Sequence, residues 1–461
     1  MAAKDVGIIG MELYFPPLFV SQEELEKHDI EEATAGGEPG WRPGKYTLGL
    51  GQKEMGFPSP DEDVISMCLT VLQRLINRYC VDLHKVRRLA VGSETLLDKS
   101  KSIKTHLMQL FVDSGNTNID GIDCLNACFG GTQTLLDTFN WMESSSWTPG
   151  TLGIVVMGDI AVYEDRSARS TGGAGAMAFL VGPDAPLVVD PGLRAYHMDH
   201  VYDFYKPRLS SEYPIVDGQE TVRCYLTALS LCYQRYKESF KQRFYSTITL
   251  QSLAGLLFHT PYCKLTQKAV AVLAHNECNP DAIIDDYASV NWSDLYKQSL
   301  TLYQQKTEPS LLFARHIGNM YTPSLYAALA SLIISKKESL SSQDNSVPNR
   351  VLLFSYGSGL ASAMFSLVIK PGPALERIIQ GLEESKIALG ERTKASPADF
   401  LKTLRIRAEY YGKSGFTPTA GDLEKPTPWQ DDIFFLTEVD DKFRRRYTCR
   451  SEAACNGEIK F

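Results

Sequence analysis

Apolar positions along the chain switch between two spacings. The runs "VGIIGMELYF", "RRLAVGSE", "TLGIVVMGD" and "GAGAMAFLVG" predict strands in the first 185 residues. Among them, "EDVISMCLTVLQRLINRYC" sets Val64, Met67, Cys68, Val71, Leu72 and Leu75 at helical spacing, which predicts an amphipathic helix. In the second half "SLAGLLFHT" predicts a strand, a long helical stretch follows, and "NRVLLFSYGSG" and "ASAMFSLVIK" predict two more strands. Strands this continuously apolar are covered on both faces, so the pattern predicts an α/β chain with buried strands. "GIVVMGDIAV…GAGAMAFLVG" and "RVLLFSYGSGLASAMFSLVI" each read as two strands around a Gly-rich link. Two copies of one α/β unit would account for this echo, and two unrelated hairpins would look the same. Three segments read as non-core chain: a Gly/Pro-rich loop over 34–44, a polar loop over 336–350, and a frayed tail from Thr448 onward.

At 461 residues the chain is too long for one simple core, so two domains or two fused halves are expected. A hydrophobic content of 44% with 22% charged residues predicts an ordered globular protein. The net charge of -8 argues against nucleic acid as the main partner. The ten cysteines form no C-x-x-C pair and lie mostly in apolar runs, which suits reduced thiols better than a disulfide framework. Cysteine and histidine show no metal-ligand spacing. The start "MAAKDVGIIGMELYFPP" has neither signal-peptide nor transit-peptide character, and no run reaches the ~20 apolar residues of a spanning helix. The expected compartment is the cytoplasm, with no membrane contact.

Candidate chemistry gathers where strands give way to helices. Cys128 lies in "NACFGG", after the strand-like "NIDGIDCLNA" and before Leu135, Phe139 and Met142 at helical spacing. A helix N-terminus favours thiolate, and Gly130 and Gly131 permit close approach by a substrate. A buried structural thiol is the competing reading. Glu94 follows the strand of "RRLAVGSE"; there it is either a partly desolvated acid/base or an exposed loop carboxylate. His259 ends "SLAGLLFH" ahead of Thr-Pro, with Pro261 fitting a helix start. It reads as a site imidazole or as a satisfied structural histidine. Lys264 and Lys268 share one helix face and could meet phosphates or only water. In "GNMYTPSLYAALASLII", Thr322 reads as N-cap and Pro323 as first-turn residue, with Asn319 just ahead. Ligands of α/β sheets collect at the carboxyl ends of strands, so a nucleophile, a carboxylate and an imidazole meeting there would make an acyl-transfer site.

Longer blocks carry a family pattern: "GKYTLGLGQ", "VGSETLLDKSKSIKTHLMQLF", "NACFGGTQTLLDTFNWMESSSW", "GDIAVY", "TGGAGAMAFLVGPDAP", "HVYDFYKPRLSSEYPIVDG", "FHTPYCKLTQKA", "GNMYTPSLY" and "FSYGSGLASAMFSL". Together and in this order they make the chain resemble the 3-hydroxy-3-methylglutaryl-CoA (HMG-CoA) synthase family, from about residue 5 to residue 448, loosely after about residue 370. The resemblance implies a thiolase-like fold: two similar α/β halves, 1–185 and 186–461, in a layered αβαβα sandwich, normally a homodimer. It implies condensation of acetyl-CoA with acetoacetyl-CoA and water, in the mevalonate pathway, with CoA thioesters as substrates and no metal or separate cofactor. Cys128 matches the acetyl-carrying nucleophile and Glu94 the general acid/base. His259 and Asn319 match residues that hold the second substrate. Backbone N–H groups at Cys128 and near Ser358 would stabilise the oxyanion. Lys264 and Lys268 match positions along the CoA path, and Thr171, Asp159, Asp203, Tyr321 and Ser358 match residues lining the site. The chain departs from the pattern at Phe129 (usually Tyr), Ser170 (usually Pro), Ser167 (commonly Asn) and Thr221 (commonly Ser), the last two at CoA contacts. "GGEPGWRP" reads as a small insertion before Gly44. A thiolase reading would need a second cysteine in a C-x-G element, which "CNG" at Cys455 fits only superficially. A β-ketoacyl synthase would lack the carboxylate at Glu94. A non-catalytic relative would have lost Cys128, Glu94 or His259.

Overall fold

The computed structural model describes residues 3–38, 41–279, 289–342, 348–418 and 432–450, with Ile284 and Tyr287 besides. Nine strands among them form one mixed sheet. Their spatial order is Gly255–Phe258, Asn349–Gly357, Ala361–Ile369, Leu187–Met198, Gly7–Tyr14, Gly173–Gly182, Leu152–Ala161, Val86–Gly92 and Asp123–Cys124. The first four belong to the second half of the chain and the last five to the first. The halves join where Gly7 pairs with Val188 and Ile8 with Leu187. Gly7 is needed there, because a Cβ would fall 1.9 Å from the Leu187 carbonyl oxygen.

Element order repeats between the halves. A strand leads to a long helix (Val64–Tyr79; Gly218–Phe244), then a second strand, later a deeply buried helix (Gly130–Glu143; Ser324–Ser335), then an antiparallel strand pair. Alternation along the strands sets the layers, since successive side chains point to opposite faces. Val155 and Met157 face a central core and Ile154 and Val156 an outer one; Leu353 and Phe365 face the same central core, while Leu352, Phe354 and Met364 face another outer one. The two buried helices fill the centre, through Leu135, Leu136, Phe139 and Met142 on one and Leu325 to Ile334 on the other. Val64–Tyr79 covers the outer face of the first half-sheet, and Gly218–Phe244 with Cys263–Cys278 that of the second. The stacking is therefore helix, sheet, helix, sheet, helix. Ser324–Ser335 is apolar almost all round because sheet or helix meets it on every side. Each fully buried large side chain there contributes about 1.5–3 kcal/mol of transfer free energy.

Several local expectations change. The run expected as a strand up to Ala127 is regular only at Asp123–Cys124. It forms the sheet's edge, with Asp120, Ile122 and Cys124 carbonyls accepting from Leu89, Val91 and Ser93 N–H. The apolar helix begins at Ser324 with Pro323 as N-cap, because the Thr322 hydroxyl donates to Asp159 instead of capping. Pro261 lies just outside its helix, whose N-cap is Tyr262. Thr34 and Ala35 still belong to a helix, Lys337–Leu340 forms a short helix, and Asn349 and Arg350 start a strand. Thr448 to Arg450 are not frayed: they close the strand Arg445–Arg450, paired with Ile433–Val439. Tyr447 anchors that strand, its buried hydroxyl donating to Asp63 at 2.8 Å. Cys455 and the tail from 451 lie outside the described residues. Among the described residues no helix is long and apolar enough to cross a membrane.

Candidate active site

Cys128 sits immediately before the helix Gly130–Glu143, whose N-cap is Phe129. Ala127 takes a left-handed backbone (φ 43°), which turns the chain sharply at the nucleophile position at a cost of about 1–2 kcal/mol. Gly130 and Gly131 serve a purpose other than the expected one. A Cβ at Gly130 would lie 2.7 Å from the Cys124 carbonyl, and one at Gly131 2.7 Å from the Met157 sulfur. A Cβ at Gly92, the end of the strand leading to Glu94, would fall 2.3 Å from the Gly131 Cα. What approaches these glycines closely is the protein's own sheet, and that contact brings Glu94 to Cys128. The Cys128 thiol donates to Glu94 Oε2 across 3.5 Å.

The helix-terminus argument for a resting thiolate does not hold. Burial, then the Glu94 and Asp159 carboxylates, push the Cys128 thiol well above its ordinary range, and Lys206 only partly opposes them. The wall around the sulfur is apolar, made by Ala161, Tyr163, Tyr321, Ala168 and Phe204. Phe129 is 4% exposed and packs into the central core.

Asp159 was expected to line the site but is fully buried behind it. Its Oδ1 accepts from Ser93 Oγ, Glu94 N and Thr95 N and Oγ1, and its Oδ2 from Thr322 N and Oγ1. One carboxylate thus ties the Glu94 loop to the start of the second buried helix. Burial and the nearby Glu94 carboxylate push Asp159 up to about 6. Asp203 is corrected in the same way: it is buried, accepting from the Tyr356 hydroxyl at 2.6 Å and from Gly359 N at 2.9 Å. It pins the loop that carries Ser358.

A cavity of about 550 Å³ opens over the sulfur. Cys128, Ser167, Thr171, Thr221, His259, Asn319, Tyr321 and Ser358 all line it. His259 is 2% exposed, and burial pushes its imidazole down to about 3, so it is neutral at pH 7. Asn319 Oδ1 accepts from Tyr321 N and Ser324 Oγ, both at 2.9 Å. Thr221 Oγ1 donates to the Asp203 carbonyl and Thr171 Oγ1 to that of Ala168. Gly357 lets the Ser358 loop meet the Cys128 turn: a Cβ there would lie 2.6 Å from the Phe129 nitrogen. Lys264 is exposed, donating to Gln267 at 3.1 Å, with its backbone N–H on the Leu50 carbonyl at the rim. The Lys268 ammonium instead lies 5.0 Å over the Trp292 ring.

Lys206 escaped the sequence reading. Its ammonium lies 2.7 Å from Glu94 Oε1 and 4.5 Å over the Tyr321 ring. A single lysine in an aromatic stretch carries no spacing signal; the aromatics of "YDFYK" were the hint available.

The family model described as hydroxymethylglutaryl-coenzyme A synthase N terminal matches residues 2–186, and the corresponding C-terminal model matches residues 187–295 and 289–450. The mitochondrial hydroxymethylglutaryl-CoA synthase of Bos taurus is 44% identical over 475 residues, 97% of this chain and 90% of its own. The cytoplasmic enzyme of Gallus gallus is 43% identical over 478 residues, 97% of this chain and 87% of its own. Among solved structures, MvaS in complex with 3-hydroxy-3-methylglutaryl coenzyme A superposes with a TM-score of 0.79 at 31% identity, covering 97% of this chain and all of its own. Family models along nearly the whole chain and relatives 43–44% identical over nearly its full length make the chain a member of the hydroxymethylglutaryl-CoA synthase family, with its thiolase-like fold.

Proposed function

We propose that the chain condenses acetyl-CoA with acetoacetyl-CoA and water to give HMG-CoA and free CoA, with Cys128 carrying the acetyl group. The observation that carries this is the Cys128–Glu94 contact at the base of a cavity whose lining also holds His259 and Asn319. In the first step the sulfur attacks the acetyl thioester carbonyl, its proton passes to Glu94 Oε2, and the CoA thiolate leaves and takes that proton. The backbone N–H groups of Cys128 and Ser358 hold the oxyanion. Glu94, then unprotonated, removes a proton from the acetyl methyl, which lies two bonds beyond the sulfur and therefore near the same oxygen. The apolar wall keeps water from quenching the carbanion equivalent.

That carbon attacks the ketone of acetoacetyl-CoA, and the proton Glu94 took from the methyl passes to the resulting alkoxide to give the 3-hydroxyl. A neutral His259 donates one N–H to the ketone oxygen without surrendering a proton beforehand. With its Oδ1 already accepting two bonds, the Asn319 amide group is free to donate to a carbonyl of the same substrate. Water then cleaves the enzyme thioester and restores the thiol. Ser167, Thr171 and Thr221 line the CoA approach, and Lys264 at the rim meets its phosphates. The place of such a reaction is the mevalonate pathway. Relatives include cytoplasmic and mitochondrial forms, and cytoplasm is the compartment proposed here. We also propose a homodimer. The sheet ends on the strand Asp123–Cys124, whose outer edge has no partner strand among the described residues, beside exposed Leu125, and an edge of this kind favours a covering copy; a monomer mass by light scattering would exclude it.

Labelled acetyl-CoA tests the assignment. Cys128→Ala should trap no label on the protein. Glu94→Ala should still accept label, more slowly because the thiol proton must then reach the departing CoA thiolate without Glu94, but lose condensation by about 10²–10⁴-fold. Label retained on Cys128→Ala, or normal HMG-CoA output from Glu94→Ala, would overturn it.

A further inference from the structure

We propose that Lys206 is a positioning residue for this reaction: its ammonium grips Glu94 Oε1 and so leaves Oε2 aimed at the Cys128 sulfur and at whatever the sulfur carries. The inference rests on the reading of Glu94 as the base. The two oxygens of Glu94 have separate partners, Lys206 Nζ at 2.7 Å on Oε1 and the Cys128 thiol at 3.5 Å on Oε2. A carboxylate rotates freely about its last bond unless both oxygens are held, and a productive base must keep one oxygen on the proton it removes. From below, the backbone of Glu94 is fixed by its N–H on Asp159 at 2.8 Å. Lys206 supplies the remaining restraint.

Lys206 is itself held firmly. Its side chain is 19% exposed and lies against the rings of Tyr321 at 4.5 Å and Phe204 at 5.6 Å. The neighbouring Asp203 is anchored through both carboxylate oxygens and through its carbonyl, which accepts from Thr221 Oγ1 and Asp217 N. The groups facing Glu94 are the Cys128 thiol from the helix start, the Asp159 carboxylate from the sheet, the phenols of Tyr163 and Tyr321, and the Lys206 ammonium. Lys206 is the cation in that set, placed between two buried carboxylates and a thiol. Its partners outweigh its burial and raise the ammonium above its ordinary range. Without it, Glu94 would face the Asp159 carboxylate with no opposing charge beside it and with Oε1 unheld.

The test separates proton abstraction from everything else. Acetyl-CoA and enzyme are incubated in D2O without the second substrate, and deuterium entering the acetyl methyl reports on the base alone. Lys206→Met should form acetyl-Cys128 yet exchange about 10²-fold more slowly at pH 7. Lys206→Arg keeps the charge with altered reach, so its exchange rate should fall less. Exchange by Lys206→Met at the native rate overturns the proposal. So does Lys206→Arg exchanging as slowly as Lys206→Met; if the methionine variant fails to fold, Lys206→Arg exchange at the native rate supports the proposal and exchange as slow as that of Glu94→Ala overturns it. Glu94→Ala is the control: if it still exchanges, the reading of Glu94 has failed; if it does not and Lys206→Met does, only the role of Lys206 has failed.

Discussion

His259 ends a buried strand and faces the cavity with almost none of its surface exposed. Burial alone lowers it from its ordinary 6.5 to about 3. At 1.36 kcal/mol per pKa unit, that gap makes protonating the native imidazole about 5 kcal/mol harder than in the unfolded chain. The sign follows directly. Above pH 6.5 both states are neutral and the group contributes nothing to pH dependence. Below it the unfolded state takes a proton that the folded state refuses, so stability falls as pH drops from 6.5 toward about 3. At pH 5 the loss amounts to about 2 kcal/mol. Two measurements follow. With ring-labelled histidine, His259→Asn should remove one resonance of the eight histidines, and in the native protein that resonance should not titrate between pH 5 and 8. In denaturant unfolding, the stability difference between native protein and His259→Asn should shift in favour of the variant by about 2 kcal/mol on going from pH 7 to pH 5. A resonance titrating near 6.5 would refute the reasoning, and with it the neutral N–H donor assigned to this residue.

The other expectations are simpler. Gly357→Ala would drive a Cβ into the Phe129 backbone; it should slow enzyme acetylation by about 10²-fold while leaving CoA binding within threefold, because a shift of about 1 Å at the reacting centre has that effect. Calorimetry and label incorporation would check the split, and unchanged acetylation would mean that the two loops are not in contact. Lys264→Ala should raise KM for both CoA substrates with kcat unchanged. Lys268→Ala should leave KM alone and lower stability by about 0.5–1 kcal/mol, since its ammonium is committed to Trp292. A KM raised by Lys268→Ala would place that side chain on the CoA path after all.

Two buried carboxylates hold the loops of the site. Asp159 collects donors from Ser93, Glu94, Thr95 and Thr322, and Asp203 joins the Lys206 segment to the loop of Ser358. Hydrogen bonds to a charged group contribute about 1.5–3 kcal/mol each, enough to hold loops whose own backbones would otherwise wander. That is why the Glu94 loop keeps a fixed relation to the start of the Ser324–Ser335 helix, and the Lys206 segment to the Ser358 loop, although they come from distant parts of the chain.

Much of this was already written in the amino-acid order. Short continuous apolar runs determined the strands, helical spacing the Val64–Tyr79 helix, and the sequence after "NACF" put Cys128 at a helix start. These are local matters, governed by the periods of helix and strand and by which backbone each residue tolerates. Tertiary structure decided which strand lies beside which, that Gly92 and Gly131 press together, and that Lys206 reaches Glu94. It also reversed the charge state expected of Cys128, because desolvation and two neighbouring carboxylates outweigh a helix terminus. The reason is physical: burial and charge depend on what the folded chain brings within a few ångströms, and periodicity reports only on the residues a few places away.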